Sequence, residues 1–213
     1  MKLLSALLLS TLLCACATAP GTSPGTSPAT SPGAPDNAAA EEPPAAPRPT
    51  GVQWRYINTR SYEAMNAGLG RSHRFESSVG WIDVYIYDMK RTDWRPGVDD
   101  PQFDEQFKST IAEVQRATAQ GLYASARTGP TRDVRIEGLT FRSISFRLVN
   151  ARDGKAYDSY TYLTARGGRL LKYRMSFNAP APANAQAIAR EFIERSLRTG
   201  PDTPVGTREL RNT

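Results

Sequence analysis

Cys14 and Cys16 are the only cysteines of this 213-residue chain and His73 is its only histidine. A structural zinc site takes four Cys or His ligands, so cysteines two positions apart with one distant histidine do not make one. A disulfide closed over so short a ring would be severely strained. His73 sits in "RSHRFE", a segment expected to form a strand. No Ser, Cys or metal-ligand partner stands near it by spacing, and it reads as an ordinary sheet or surface histidine. Asp83 and Asp88 lie five apart on an expected strand and so point to opposite faces, which rules them out as a glycosidase carboxylate pair. Asp99-Asp100 lack the alternating acids and glycine of a calcium loop. Gly68-Leu-Gly70 lacks the third glycine and the Lys-Ser/Thr of a phosphate loop, and no Gly-x-Ser-x-Gly elbow is present. No catalytic residue, metal or cofactor is expected.

One constellation survives that inspection. In "WIDVYIYDMK", Ile82, Val84 and Ile86 alternate with Trp81, Asp83, Tyr85 and Tyr87, a period of two that separates the sets onto opposite faces of a strand. The set Trp81, Asp83, Tyr85 and Tyr87 is a candidate binding surface, since aromatic residues are enriched at interfaces and flat apolar faces suit sugars or peptides. The competing reading is a second buried face, covered by a helix or packed by cross-strand aromatic pairs.

The elements that must hold this face follow from the rest of the pattern. Trp54-Arg-Tyr-Ile and Ser72 to Glu76 read as short strands before it. Asp100 is expected to cap a helix with Pro101 at its first position. Phe103, Phe107, Ile111, Val114 and Leu122 give that helix one apolar stripe at a period near 3.6. Strands are expected over Arg132 to Glu137, Leu139 to Val149, Lys155 to Ala165 and Arg169 to Phe177, with Asp153-Gly154 and Gly167-Gly168 as hairpin turns. In the last of these, Leu171, Tyr173, Met175 and Phe177 alternate with Leu170, Lys172, Arg174 and Ser176. Ala185, Ile188, Ala189, Phe192, Ile193 and Leu197 form the stripe of a closing helix stopped by Gly200. Strands, helix, several strands, helix: the order predicts an α+β domain with two helices packed on a mostly antiparallel sheet.

All three tryptophans, nine tyrosines and seven phenylalanines fall between Val52 and Arg198. About 150 residues suit one domain with its own core, so residues 52–198 are expected to be a single domain and 199–213 a loose tail. Residues 19–50 contain no aromatic or branched aliphatic side chain and repeat Gly-Thr-Ser-Pro and Ala-Thr-Ser-Pro. Such composition cannot bury enough apolar area to offset the entropy of ordering. It reads as a semi-rigid tether reaching about 100 Å when extended, or as an O-glycosylated stalk. The formal net charge is +6, but the basic residues are interspersed with acids. Nucleic-acid binding would require a basic stripe and is not expected.

The first residues run Met1-Lys2, then an apolar stretch from Leu3 to Leu13 that is too short to span a bilayer. A charged start, a short apolar run and small residues behind it make a secretory signal peptide. Leu13-Cys14-Ala15-Cys16 then resembles the bacterial lipobox. Leu13 stands three before Cys16 and Ala15 directly before it; Cys14 departs from the usual Ala, Ser or Thr. An ordinary signal peptide cleaved further along is the rival reading. The resemblance implies a signal of residues 1–15, a lipidated Cys16 at the mature N-terminus, and a tether over 16–51. It also implies a diacylglyceryl group on Cys16 and, with Ala17 rather than Asp after it, an outer-membrane, periplasm-facing location.

The early hairpin, the helix after "WIDVYIYD", the meander ending in "YLTARGGRLLKYRMSF" and the closing helix resemble a PsbP-like sandwich, the fold also of DcrB-like bacterial lipoproteins. That resemblance implies a non-enzymatic accessory or binding module acting through partners, here an envelope protein or peptidoglycan. The alternatives are a structural link between outer membrane and cell wall, or a periplasmic hydrolase whose residues are assembled from distant positions. A pocket joining His73 to an acid and a hydroxyl would favour the hydrolase.

Overall fold

The computed structural model describes residues 50–203. Cys16, the signal segment, the tether up to residue 49 and the tail from residue 204 lie outside the described residues.

Nine elements follow in order: β1 (Arg55–Ser61), β2 (Arg71–Ser77), β3 (Gly80–Tyr87), α1 (Phe103–Ala119), β4 (Tyr123–Ile136), β5 (Leu139–Asn150), β6 (Ala156–Arg166), β7 (Arg169–Asn178) and α2 (Ala185–Thr199). The seven strands make one sheet in the order β1-β2-β3-β7-β6-β5-β4, antiparallel at every pairing. The α+β expectation holds. β1 to β3 form a meander, α1 carries the chain to the far edge, and β4 to β7 meander back until β7 closes against β3.

Each face of the sheet carries its own core because the strands alternate. Ile82, Val84 and Ile86 of β3 join Leu171, Tyr173, Met175 and Phe177 of β7 beneath Ile188, Phe192, Ile193 and Leu197 of α2. On the opposite face Ile144, Phe146, Leu148, Leu163 and Leu170 meet Phe103, Phe107 and Val114 of α1. Leu170 and Leu171 of β7 point into opposite cores for this reason, and both are fully buried.

Three local expectations are corrected. The helix α1 ends at Ala119, and Leu122 lies beyond it, 48% exposed. Gly121 adopts φ +74°, and the amides of Gly121 and Leu122 bond back to Thr118 and Ala117 at 2.9 and 3.0 Å. That is a glycine-based helix stop, and it overrides the continued spacing of the apolar stripe. At the other end α1 is preceded by Gln102 rather than capped by Asp100. The Asp100 carboxylate instead accepts both Arg91 Nη atoms at 3.1 and 2.8 Å and the amides of Arg95 and Gln102. The Arg91 bonds hold its pKa down to about 2. Finally, β4 starts at Tyr123, not Arg132. Gly129-Pro130 do not end the strand; they sit in a bulge, where the register slips between Thr128 and Thr131.

α1 is held on its face by charge as well as by apolar contact. Arg142 on β5 pairs with Asp104 of α1 and, through Nε and Nη2 at 2.8 and 3.0 Å, with Asp133 on β4. Lys172 on β7 donates to both carboxylate oxygens of Glu113 at 3.1 and 2.8 Å. The helix therefore serves the β4-to-β7 half of its face, and the apolar cluster beneath it takes nothing from β1 or β2.

Candidate functional site

Trp81, Asp83, Tyr85 and Tyr87 share one face of β3, as alternation requires, and all four are half-buried. That face is the α1 side of the sheet, because Ile82, Val84 and Ile86 point to α2. The four residues do not form one patch.

Tyr87 packs against the core under α1. Lys172 Nζ stands 4.7 Å from the centroid of the Tyr85 ring and 5.8 Å from that of Tyr87, within cation–π range. The same Nζ holds Glu113 of α1, so helix, lysine and both tyrosines form one packed unit. Tyr62 stacks on the outer side of Tyr85 at 6.5 Å. Desolvation raises the hydroxyl pKa of both Tyr85 and Tyr87, so both rings stay neutral. These two tyrosines belong to the covered part of the face.

Trp81 and Asp83 are not part of the apolar cluster beneath α1, although Tyr157, which meets Trp81, packs against it. Arg74 of β2, opposite Asp83 in register, places its guanidinium 5.0 Å from the Trp81 ring centroid and donates Nη1 to Asp83 Oδ2 at 2.8 Å. Tyr157 of β6 meets the indole edge-on at 4.9 Å. Arg174 of β7, opposite Asp83 on the other side, donates Nη2 to the Tyr123 hydroxyl at 3.0 Å. Beside Trp81, Ser159 and Ser176 share a buried hydroxyl pair at 3.0 Å. The site is an aromatic ring clamped by guanidinium and phenol, with a carboxylate set between two arginines.

Burial is the largest influence on Asp83 and raises its pKa, against Arg74 and Arg174, which lower it. A carboxylate so placed depends on its arginines, and removing Arg74 would leave a charge without its hydrogen-bonded partner. Arg74, Tyr157 and Arg174 come from three other strands, and nothing in their own spacing brings them to Trp81. The alternation of Lys172 and Arg174 with apolar residues in β7 was the one available signal that this face carries charge.

His73 sits elsewhere, on β2 opposite Thr59 and Val84, and is 3% exposed. Its Nδ1 shares a hydrogen bond of 2.7 Å with Thr59 Oγ1, which in turn contacts the Tyr56 hydroxyl at 2.6 Å. Its Nε2 is buried without a hydrogen-bond partner. The histidine is thus joined to two hydroxyls but hydrogen-bonded to no acid. Asp202, whose charge acts weakly on the ring, is itself engaged by Arg71 and Arg169. Burial lowers the imidazole pKa below 6.5, helped by the Arg71 charge and opposed by Asp202.

This has a measurable consequence for stability. The native state holds His73 neutral, while the unfolded chain takes up a proton as the pH falls through about 6.5. Unfolding is therefore favoured increasingly as pH drops below that value, by at most about 1.4 kcal/mol per unit, until the folded-state pKa is reached. Urea midpoints measured from neutral pH to pH 5 should fall for the native sequence and fall less for His73→Gln. Identical slopes would show that His73 contributes nothing to the pH dependence.

Among the described residues no group of three or more His, Cys, Asp or Glu side chains is placed to hold a metal ion, and no helix is long and apolar enough to cross a membrane. No protein-family model matches the chain, and no curated protein matches it. Among solved structures, it is similar to a protein of unknown function from Pseudomonas aeruginosa, at 10% identity and a TM-score of 0.33. The match covers 71% of this chain and 85% of that one.

Proposed function

We propose that this chain is a lipid-anchored envelope protein whose domain binds a partner, without catalysis, through the Trp81–Asp83 end of β3. One observation carries the reading: Arg74 stacks over a half-buried Trp81 that is not part of the apolar cluster beneath α1. Tryptophan and arginine are the side chains most often found to dominate binding energy at interfaces. The lipobox-like Leu13-Cys14-Ala15-Cys16 supports anchoring at Cys16 in the outer membrane, facing the periplasm. The chain enters the domain on α2, where the amide and hydroxyl of Thr50 both donate to Glu191 Oε2 at 2.7 and 2.6 Å. A tether behind that point raises the effective concentration of the domain near its membrane. The resemblance to PsbP-like and DcrB-like sandwiches, whose members act through partners, agrees with an envelope protein or peptidoglycan as the ligand.

The hydrolase reading draws on the Thr59–His73 contact, a hydroxyl beside an imidazole. In a nucleophile–base pair a third group orients the base, and here Nε2 has no partner to do so. The binding reading is the stronger of the two.

Crosslinking in intact envelopes tests it. Trp81→Ala should weaken partner capture by about 2 kcal/mol, roughly 30-fold, as truncation of a central interface aromatic does. Its melting temperature should stay close to that of the native protein. Tyr87→Ala serves as the contrast, because that ring packs under α1 and its loss should lower the melting temperature. Undiminished capture by Trp81→Ala would place the binding surface elsewhere, and hydrolysis of an envelope substrate abolished by His73→Ala would overturn the reading.

A further inference from the structure

The bulge in β4 changes which side chains can meet. Arg127 and Arg132 are an odd number of residues apart, so in a regular strand they would point to opposite faces. The register slip between Thr128 and Thr131 reverses that parity. Arg132 pairs with Ser143 and Arg127 with Arg147, so Arg127 and Arg132 both lie on the α2 side of the sheet with Ser143, Ser145 and Arg147. A bulge re-aims a side chain in this way at the expense of ladder pairing. Here it sets two arginines directly opposite each other near a sheet edge.

Like charges directly opposite on neighbouring strands are destabilising. One carboxylate stands nearby. Asp158 of β6 receives Arg147 Nη1 at 2.8 Å on each of its oxygens, and it also accepts the Ala181 amide at 2.9 Å. Its charge is therefore engaged by Arg147, whose Nη2 and Nε have no bond to it. Arg127 has no hydrogen bond, ion pair or ring contact among the described residues. The two arginines line a shallow cavity of about 230 Å³ with Gly129, Ser145, Tyr160 and the Asp158 carboxylate itself, so that of the three charges around it two are positive and one is negative. Gly129 keeps it open, because a Cβ there would come within 2.2 Å of Ser145 Oγ. Burial raises the Tyr160 pKa, helped by Asp158, so its hydroxyl remains a donor.

We propose that this cavity is an oxyanion site in which Arg127 and Arg147, with the Ser145 and Tyr160 hydroxyls, bind a phosphate group. Guanidinium donors match the oxygens of a phosphate in geometry as well as charge, and a bound phosphate relieves the repulsion between the two arginines. The site lies on the α2 side of the sheet, apart from the Trp81 surface, and does not rest on the partner reading. The phosphate belongs either to a small phosphorylated molecule or to a phospholipid headgroup.

The test uses the full chain carrying Cys16→Ser, so that no acyl chain drives vesicle binding. Amide resonances of Arg127, Gly129, Ser145 and Arg147 are followed by NMR during titration with inorganic phosphate and with glycerol 3-phosphate, chloride holding the ionic strength constant. Vesicles of phosphatidylcholine with and without phosphatidylglycerol form the second arm, read by sedimentation. Saturable shifts with a soluble probe identify a small phosphorylated ligand, and binding only to phosphatidylglycerol vesicles identifies a headgroup. In either case Arg127→Gln and Arg147→Gln should each weaken binding about tenfold, the loss expected for a charge-assisted contact. Arg132→Gln removes the same charge from the same face outside the cavity and should leave binding unchanged. No saturable response to any probe, or an equal loss in Arg132→Gln, overturns the proposal.

Discussion

Phe192→Ala should lower the stability of the domain by about 3–5 kcal/mol, the range for truncating a buried aromatic side chain. Phe192 is 3% exposed on α2 and meets three other aromatic rings edge-on. These are Trp54 at 5.8 Å, Phe75 at 5.1 Å and Tyr173 at 6.4 Å. The contacts reach the segment before β1, then β2 and β7, so one side chain joins α2 to both meanders. Its removal leaves a cavity that rings held from three separate elements do not easily collapse to fill. Against a typical total of about 5–15 kcal/mol, such a loss corresponds to a drop of roughly 10–15 °C in melting temperature. Urea denaturation of the variant measures it. A loss under about 1 kcal/mol would mean that α2 is not held on the sheet through this cluster.

The second large effect concerns Cys16. In envelope fractionation the native protein should sediment with membranes, and Cys16→Ser should move it to the soluble fraction. The change is expected to be nearly complete, since several acyl chains anchor stably while none leaves only the weak attraction of surface charge. Mass spectrometry should find the native N-terminus at a lipid-modified Cys16. An unmodified N-terminus at another residue, with the protein free in solution, would remove the anchored half of the proposed function.

Periodic segments of the domain were legible from their residues alone. In β3 and α2 the apolar spacing is regular and its ends are marked, so Ile82, Val84 and Ile86, and Ala185 to Leu197, fall where the pattern puts them. The end of α1 was not legible, because Leu122 continues the helical spacing while Gly121 has already turned the chain. The first half of β4 was hidden behind Gly129-Pro130, which normally punctuate a strand and here occupy its bulge. The candidate surface was half legible. Alternation placed Trp81 and Asp83 together, but it gave no reason to separate them from Tyr85 and Tyr87. That division is made by Lys172 and Glu113, from β7 and α1, and pairings between distant elements leave no trace in local spacing. The same holds for Arg127 opposite Arg147, which depends on a register slip, and for the burial of His73 Nε2 beneath residues from other strands.

The placement of β7 between β3 and β6 has a kinetic consequence. Every residue of β3 finds its partner on β7 roughly 80–100 positions later in the chain. Neither meander can be joined to the other until nearly the whole domain is available. Until then β3 and β7 each present an unpaired apolar edge, the kind of template on which foreign strands assemble. High contact order of this sort slows folding toward the millisecond-to-second range. A chain emerging N-terminus first, as synthesis delivers it, therefore exposes β3 while more than half the domain is still to follow. Partial chains ending before Arg169 would hold the edge open indefinitely, which makes the last strand and α2 the step that ends the domain's exposure to aggregation.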